Sequence, residues 1–160
     1  MVRRAAAGGL ALLALVLGAC SLTVPTDPGG TLDRVREGRL RVGVSVNEPW
    51  TAWPSDAEEP TGIEPDLVRE FADHLDAEVT WTRGGEEALM RLLEAEELEL
   101  VVGGLTATSP WADSASLSAV YTRSTGPHGE ELGHVMATVL GENAFLVELE
   151  HFLRDQDVRR

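Results

Sequence analysis

The 160-residue sequence contains no lysine and only one cysteine, Cys20, and aromatic residues make up just 5% of it. A single cysteine excludes an intramolecular disulfide, so packing and hydrogen bonds must hold the fold. The 13 cationic residues face 27 acidic ones, giving a formal net charge of −14. A surface of this sign repels nucleic acid, and we predict no nucleic-acid partner. Either a salt-rich habitat or a GC-rich genome would account for the imbalance.

Long apolar runs are also scarce. The run from Ala5 to Leu17 covers thirteen residues and follows a short basic opening. A stable membrane-spanning helix needs about 20 apolar residues, whereas a run of this length suits the apolar region of a secretory signal. We therefore predict a signal peptide over residues 1–19. Residues 20–30, rich in Pro, Gly and Thr, predict a flexible tether, and residues 31–160 are long enough for one domain.

The predicted signal ends in Leu17-Gly18-Ala19-Cys20, which resembles the lipobox of bacterial lipoproteins. The resemblance implies that Cys20 is lipidated and becomes the mature N-terminus. Acyl chains stabilise membrane anchoring by about 0.8 kcal/mol per buried CH₂. The protein would then be periplasmic or exposed at the cell surface, and anchored to the membrane. The alternative is an ordinary signal peptide with a chance cysteine.

Hydrophobic periodicity predicts alternating strands and helices after the tether. Strands are expected at 40–46, 78–83, 98–104, 115–121 and 134–140, and helices at 31–38, 64–75, 86–97 and from 143 onward. Apolar stripes at helical spacing mark the faces that should be buried: Leu67, Val68, Phe71, Ala72 and Leu75; Leu89, Leu92 and Leu93; Phe145, Leu146, Leu149, Phe152 and Leu153. The initial β-α-β-α-β order favours a parallel sheet with helices on both faces, a three-layer α/β/α fold.

Four segments resemble the extracellular solute-binding proteins of family 3, the polar-amino-acid receptors of ABC importers. They are "GRLRVGVSVNEPW" (38–50), "GIEPDLVREFADHL" (62–75), "GGLTATSPWADSASLSAVY" (103–121) and "HVMATVLGENAFLVELEHFL" (134–153). The second segment resembles the family signature, but Pro65 stands where an aliphatic residue is usual and Phe71 is bulkier than usual. The resemblance implies a small polar solute as ligand, an ABC permease as partner and no cofactor.

The family fold has two lobes joined by two crossing strands, with the ligand held between them. Here only residues 122–133 separate the outgoing strand from the returning one, which is too few for a second lobe. In the family's first lobe these strands are antiparallel neighbours, and a short turn can join such neighbours. We therefore predict a single lobe of the periplasmic-binding-protein type II fold. Its sheet should have five mostly parallel strands, one of them antiparallel.

Ligands of such sheets bind at the carboxyl ends of the strands, which predicts two loops as the site. The candidate ligand-binding residues are Asn47 and Trp50 after the first strand, and Gly104, Thr106, Ser109 and Trp111 after the third. Trp50 resembles the family's aromatic platform, and Thr106 resembles a residue that offers its hydroxyl and backbone to the ligand. The alternatives are a tryptophan that covers the base of its loop and a threonine that only forms a turn.

Trp111 marks a departure from the family. Amino-acid-binding members usually have an arginine just after this threonine-rich turn, where its planar fork pairs with the ligand carboxylate. The segment Ser109-Pro110-Trp111-Ala112-Asp113 offers no cation. Amino-acid capture by the usual route is therefore not expected. The four histidines lack metal-ligand spacing, and neither Ser109 nor Ser118 has a recognisable base partner, so we predict no metal site, no catalytic residue and no enzyme.

Three hypotheses follow. The first is a membrane-anchored extracytoplasmic solute-binding protein of the ABC-importer type that binds without catalysis. The second is a binding-inactive derivative that acts through protein contacts, with a permease or a second copy as partner, because exposed aromatic residues also mark interfaces. The third is a decayed gene product.

Overall fold

The computed structural model describes residues 26–36, 38–156 and 158. The predicted signal peptide, Cys20 and the first part of the tether lie outside these residues. Within the described residues, no helix is both long and apolar enough to cross a membrane.

In the part of the chain that the structure describes, seven strands form two sheets. In chain order they are β1 (Arg39–Val44), β2 (Glu78–Arg83), β3 (Leu100–Val102), β4 (Ser116–Leu117), β5 (Thr122–Thr125), β6 (Glu131–His134) and β7 (Ala137–Thr138). The larger sheet has five strands in the order β2-β1-β3-β7-β4. β1 is parallel to β2 and β3, whereas β7 is antiparallel to β3 and β4. The predicted mostly parallel five-stranded sheet with one antiparallel strand is confirmed.

The described residues also form four α-helices and one 3-10 helix: α1 (Thr31–Arg36), α2 (Ile63–His74), α3 (Glu86–Glu94), a 3-10 helix (Pro110–Asp113) and α4 (Asn143–Asp155). α3 ends before the predicted residue 97. Glu96 takes a left-handed φ of 56°, and the N–H of Glu97 donates to the carbonyl of Leu92. This returning hydrogen bond is the Schellman arrangement that closes helices.

Two cores lie on opposite faces of the sheet, as alternation along the strands requires. Leu40, Val42 and Val44 of β1 pack in one cluster with the apolar stripes of α2 and α4. Val101 of β3 belongs instead to a second cluster with α3. The structure is therefore the predicted three-layer α/β/α lobe.

The stripes of the helices are largely confirmed. The buried residues are all five predicted for the second helix, Leu89 and Leu93 of α3, and Phe145, Leu149 and Leu153 of α4, whereas Leu92 and Leu146 are half-buried. Phe152 was expected to be buried with them, but it is only half-buried and packs at the margin of the first cluster. The reason is its place on α4, where its ring lies between Phe71 and exposed His74, at centroid distances of 5.3 and 5.9 Å.

The predicted fourth and fifth strands do pair antiparallel, with Ser116 opposite Thr138 and Leu117 opposite Ala137. They contribute fewer residues to the sheet than predicted. The segment 122–133 was expected to be a simple bridge, but it contains β5 and the first three residues of β6. These two strands form a separate hairpin with Thr122 opposite His134. Its turn is closed by the N–H of Gly126, which donates to the carbonyl of Glu130 at 2.8 Å.

Candidate functional site

The loops after β1 and β3 meet at one edge of the sheet. β1 and β3 are parallel neighbours, with Val44 opposite Val102, so the loops that follow these two strands leave the sheet at the same edge. This is the edge at which parallel sheets bind ligands. The hairpin docks here too, because the N–H of Ala107 donates to the carbonyl of Gly133 and the N–H of Val135 donates to that of Leu105.

Asn47, Trp50 and Gly104 are packed tightly together. The side-chain amide of Asn47 donates to the carbonyl of Gly103 at 2.9 Å. Gly104 has a φ of +67°, and a Cβ at this position would lie 2.6 Å from both Asn47 Nδ2 and Trp50 Cδ1. Only glycine meets both the conformational and the steric requirement here. The turn after β3 is thus fixed against the loop after β1.

His134 covers Trp50. The imidazole and indole centroids are 3.8 Å apart, and the rings are tilted by 32°. His134 is buried, and its Nε2 lies 2.7 Å from the hydroxyl of Ser124 in the hairpin. Its Nδ1 has no hydrogen-bond partner among the described residues. Burial lowers the pKa of His134, although the carbonyls of Gly104 and Leu105 act in the opposite direction, so the neutral ring is favoured.

His134 was not among the predicted site residues. The Trp50 indole therefore lies against the Gly104 turn and against His134, and it is half-buried rather than freely presented.

The threonine-rich turn presents hydroxyl groups at the same edge. Thr106 forms an antiparallel bridge with His134, and its Oγ1 lies 3.1 Å from the hydroxyl of Thr108 in an exposed pair. The N–H of Ser109 donates to the carbonyl of Thr106 at 2.8 Å. The Ser109 hydroxyl is buried and has no hydrogen-bond partner in the described part of the chain. Hydroxyls of this kind can donate to or accept from a polar solute.

Trp111 is separate from the other five predicted residues. It lies in the 3-10 helix, and its indole N–H donates to Glu86 of α3 at 2.5 Å. Its ring packs at the margin of the second core cluster. The structure therefore brings together Asn47, Trp50, Gly104, Thr106 and Ser109, and directs Trp111 towards α3.

Glu64 is a further residue of this region that the sequence did not single out. It lies in the first turn of α2 and is fully buried. One carboxylate oxygen accepts the N–H groups of Gly103 and Gly104 at 2.7 and 2.9 Å, and the other accepts the hydroxyl of Tyr121 at 2.6 Å. Burial raises the pKa of Glu64, and these three hydrogen bonds oppose the shift. The sequence feature that could have pointed to Glu64 is its position as the first acid in "GIEPD", the segment that resembles the family signature.

Cavities of about 480, 240 and 350 Å³ are formed elsewhere by described residues, and none of the three is lined by a predicted site residue. The largest of them lies beside the start of α2 and is lined by Pro49, Gly62, Ile63, Asp66, Leu67, Glu70, Gln156 and Val158. No cluster of three or more potential metal ligands occurs in the parts of the chain that the structure describes.

Comparison with solved structures shows the same fold. Domain 1 of TmArgBP in its arginine-bound form is 21% identical, with a TM-score of 0.65 over 75% of this chain and 94% of that one. An ancestral cationic amino acid solute binding protein is 13% identical, with a TM-score of 0.68 over 78% and 92%. An ancestral cyclohexadienyl dehydratase is 29% identical, with a TM-score of 0.53 over 57% and 39%.

No curated protein matches the sequence. The model of one family, however, matches residues 40–128, which include all of β1 but its first residue, β2 to β5, both predicted loops and Glu64. By this match the chain belongs to the bacterial extracellular solute-binding proteins, family 3.

Proposed function

We propose that this protein is an extracytoplasmic solute-binding lobe that holds a small polar solute by reversible contacts, without catalysis. The observation that carries the proposal is the meeting of the loops after β1 and β3 at one sheet edge, where the Thr106 and Thr108 hydroxyls remain exposed. The solute would contact this threonine turn and the backbone beside Gly104.

A single lobe is a plausible binding unit for such a solute. The TmArgBP structure is of domain 1 alone and is described as arginine-bound. The neighbouring ancestral protein is described as binding cationic amino acids. A chain with 27 acidic residues and 13 cationic ones attracts cations over long range, and arginine is therefore the first solute to test.

The site offers binding groups rather than a reaction centre. Among the described residues, the Thr106 and Thr108 hydroxyls bond to each other and the Ser109 hydroxyl has no partner, whereas His134 bonds to the Ser124 hydroxyl and lies against the Trp50 ring. Because one structural neighbour is an ancestral dehydratase, product analysis by NMR after long incubation with solute should accompany the binding tests.

The cellular setting is proposed from the sequence. Lipidation at Cys20 would tether the lobe to a membrane through residues 20–30. An ABC permease at that membrane would receive the solute, and a second copy of the chain is the other partner we consider. The location would be the periplasm or the cell surface.

An NMR titration with arginine tests the binding proposal. Thr106→Val removes one exposed hydroxyl and should weaken binding several-fold, because a lost hydrogen bond is worth about 1 kcal/mol. Thr80→Val, at an exposed position on β2, is the matched control and should leave binding unchanged. Arginine that shifts no resonance of the threonine turn in the parent chain would refute the proposal.

A second candidate function is action through protein contacts, and one observation weighs against the aromatic part of the proposed solute site. The Trp50 ring is covered by His134, and the Trp111 N–H is bonded to Glu86, so neither aromatic group is free for a solute. Analytical ultracentrifugation distinguishes the two functions when the partner is a second copy. A concentration-dependent dimer that arginine does not alter would support this function over solute binding.

A further inference from the structure

The buried carboxylate of Glu64 has no part in the solute contacts proposed above. Placing a carboxylate in a protein interior is costly unless hydrogen bonds replace its water. Glu64 has three such bonds, from two backbone amides and one phenol, and its side chain is shielded from solvent. A residue retained at such cost needs an explanation in terms of what it holds in place.

Glu64 connects three segments that converge on the site. Its backbone N–H donates to the carbonyl of Trp50 at 3.1 Å, which links α2 to the loop after β1. One carboxylate oxygen receives the amides of Gly103 and Gly104 in the turn after β3. The other receives Tyr121, which stands directly before the hairpin. No other residue described above forms hydrogen bonds to all three segments.

The glycines explain how the carboxylate reaches the turn. A Cβ on Gly103 would lie 2.8 Å from Ser45 Cβ, and a Cβ on Gly104 would lie 2.6 Å from Trp50 Cδ1. The backbone can therefore approach β1 and its loop only without side chains at both positions. Successive amides that point to one anion form the anion-binding concavity known as a nest. In this turn the anion is supplied by the protein itself.

We infer that Glu64 is a positioning residue, whose carboxylate fixes the Gly103-Gly104 turn and thereby the relative placement of Trp50 and Thr106. It does not touch the solute. The inference rests on the proposed solute site for its consequence in binding, but its structural part can be measured without any solute. Tyr121 extends the linkage to the hairpin, so hairpin and turn should respond together.

The alternative is that Glu64 contributes only to general stability. Two features argue against this. Its three partners lie 39, 40 and 57 residues away in sequence, and two of them belong to the turn that carries Thr106. Burial, and then the negative charge of Glu64, raises the pKa of Tyr121, so the phenol remains a hydrogen-bond donor throughout the ordinary pH range.

The test compares Glu64→Gln and Tyr121→Phe with the parent chain, using residues 21–160, which include every described residue. Asp66→Asn is the matched control, since Asp66 is an exposed acid in the same turn of α2 and forms an ion pair with Arg69 at 3.2 Å. The readouts are the amide proton shifts and hydrogen exchange of Gly103 and Gly104, each followed from pH 4 to 8.

The expected result is specific to the turn. In the parent chain and in Asp66→Asn, the two glycine amides should be protected and their shifts should follow a carboxyl titration. In Glu64→Gln the titration should vanish, exchange should accelerate at least tenfold, and the resonances of Trp50 and Thr106 should move. Tyr121→Phe, which keeps the carboxylate, should retain the titration with a changed midpoint and should shift hairpin resonances.

Two outcomes overturn the inference. One is unchanged glycine amides and unchanged Thr106 in Glu64→Gln, and the other is an equal response in Asp66→Asn. If Glu64→Gln fails to fold, Tyr121→Phe decides: a parent-like midpoint and hairpin would then overturn it. Arginine titration separates this question from the function. One possible result is that the parent chain shows no arginine binding while Glu64→Gln still changes the resonances of the Gly103-Gly104 turn. That result would refute solute binding and leave the positioning role intact.

Discussion

At the scale of single residues, Gly104 meets two requirements at once, and they can be separated by experiment. Its φ of +67° is strained for any residue with a Cβ, and a Cβ would also contact Asn47 and Trp50. Gly30 has the same φ of +67° but nothing within 4 Å of its Cβ position, so it shares the first requirement without the second.

Gly104→Ala should therefore cost more free energy of unfolding than Gly30→Ala. The left-handed conformation alone costs about 1–2 kcal/mol, and crowding adds about 1–3 kcal/mol at Gly104. Denaturant unfolding of both variants measures the difference. Equal losses would mean that Asn47 and Trp50 yield easily and that the turn is not tightly fixed against the loop.

The pH dependence of stability should carry the signature of Glu64. Its folded-state pKa is raised above the ordinary 4.5. A raised carboxyl pKa means that the folded state binds the proton more tightly than the unfolded state does. The stabilisation of the folded state by this proton is therefore present below the ordinary pKa and is lost as pH rises through the raised pKa. The free-energy difference between the parent and Glu64→Gln should thus shift against the parent from pH 4.5 upward.

Glu142 provides a control of opposite sign. Burial acts to raise its pKa, but hydrogen bonds with the N–H groups of Gly29 and Thr31, at 2.7 and 3.0 Å, and with the side chains of Thr31 and Asp27 together lower it. Its contribution is present above the ordinary pKa and is lost as pH falls. The difference in free energy of unfolding between the parent and Glu142→Gln should shift in favour of the parent as pH rises. If Glu64→Gln and Glu142→Gln showed the same trend with pH, the directions given for the two pKa shifts would be contradicted.

The residues found and missed at the site differ in whether they directly follow a predicted parallel strand. Asn47, Trp50, Gly104 and Thr106 follow strands whose order was predictable, so their meeting at one edge could be anticipated. Glu64 bonds to groups 39 to 57 residues away, and His134 reaches Trp50 from the hairpin. No local pattern encodes such contacts, and both residues had been left out of the predicted site.

At the scale of elements, α4 offers a direct comparison of two phenylalanines. Phe145 is fully buried and meets Phe71 edge-on at a centroid distance of 5.8 Å, whereas Phe152 is half-buried. Phe145→Ala should cost about 3–5 kcal/mol, as buried phenylalanines do. Phe152→Ala should cost roughly half as much, since it loses correspondingly less buried area.

Thermal or denaturant unfolding of the two variants decides this prediction. A loss below about 0.5 kcal/mol in Phe145→Ala would mean that α4 is not docked on the sheet, because truncation of any buried phenylalanine exceeds that value.

The elements also show where periodicity stops being informative. α2 and α4 were predictable because their apolar stripes face a core. The hairpin was not, because β5 and β6 are mainly polar and half-buried or exposed, and their pairing depends on each other and on residues 105–107. The strands predicted at 115–121 and 134–140 are longer than β4 and β7. Alternation in the sequence continues beyond these two strands, but the backbone there leaves the five-stranded sheet and leads to the hairpin.

At the scale of the whole molecule, attachment to a membrane depends on a residue outside the described part of the chain. Cys20→Ala should abolish lipidation and release the protein from membranes. Fractionation of cells and mass spectrometry of the N-terminus measure both effects, with Ser21→Ala as a control that keeps the cysteine. A Cys20→Ala protein that stays membrane-bound and is cleaved at the same bond would contradict the lipoprotein hypothesis.

The strength of solute binding is set by what one lobe can enclose. Pockets for small molecules bury about 70–90% of the ligand surface, and a single lobe contacts only one side. The Trp111 indole N–H donates to Glu86 of α3, and residues 109–113 offer no cation to a ligand carboxylate. Because one face of the solute stays hydrated and its carboxylate lacks a cation, the described site should give only weak binding.

We therefore expect free amino acids to bind the monomer with a Kd near or above about 1 mM, equivalent to roughly −4 kcal/mol. Calorimetry against a panel of amino acids, with the oligomeric state determined at each protein concentration, measures this value. A micromolar Kd for the monomer would contradict the prediction. It would mean that the hairpin moves away from Trp50 and contacts the solute from the second side. Micromolar binding that rises with dimer formation would show instead that the second copy closes the site, since the affinity would then follow protein concentration rather than solute alone.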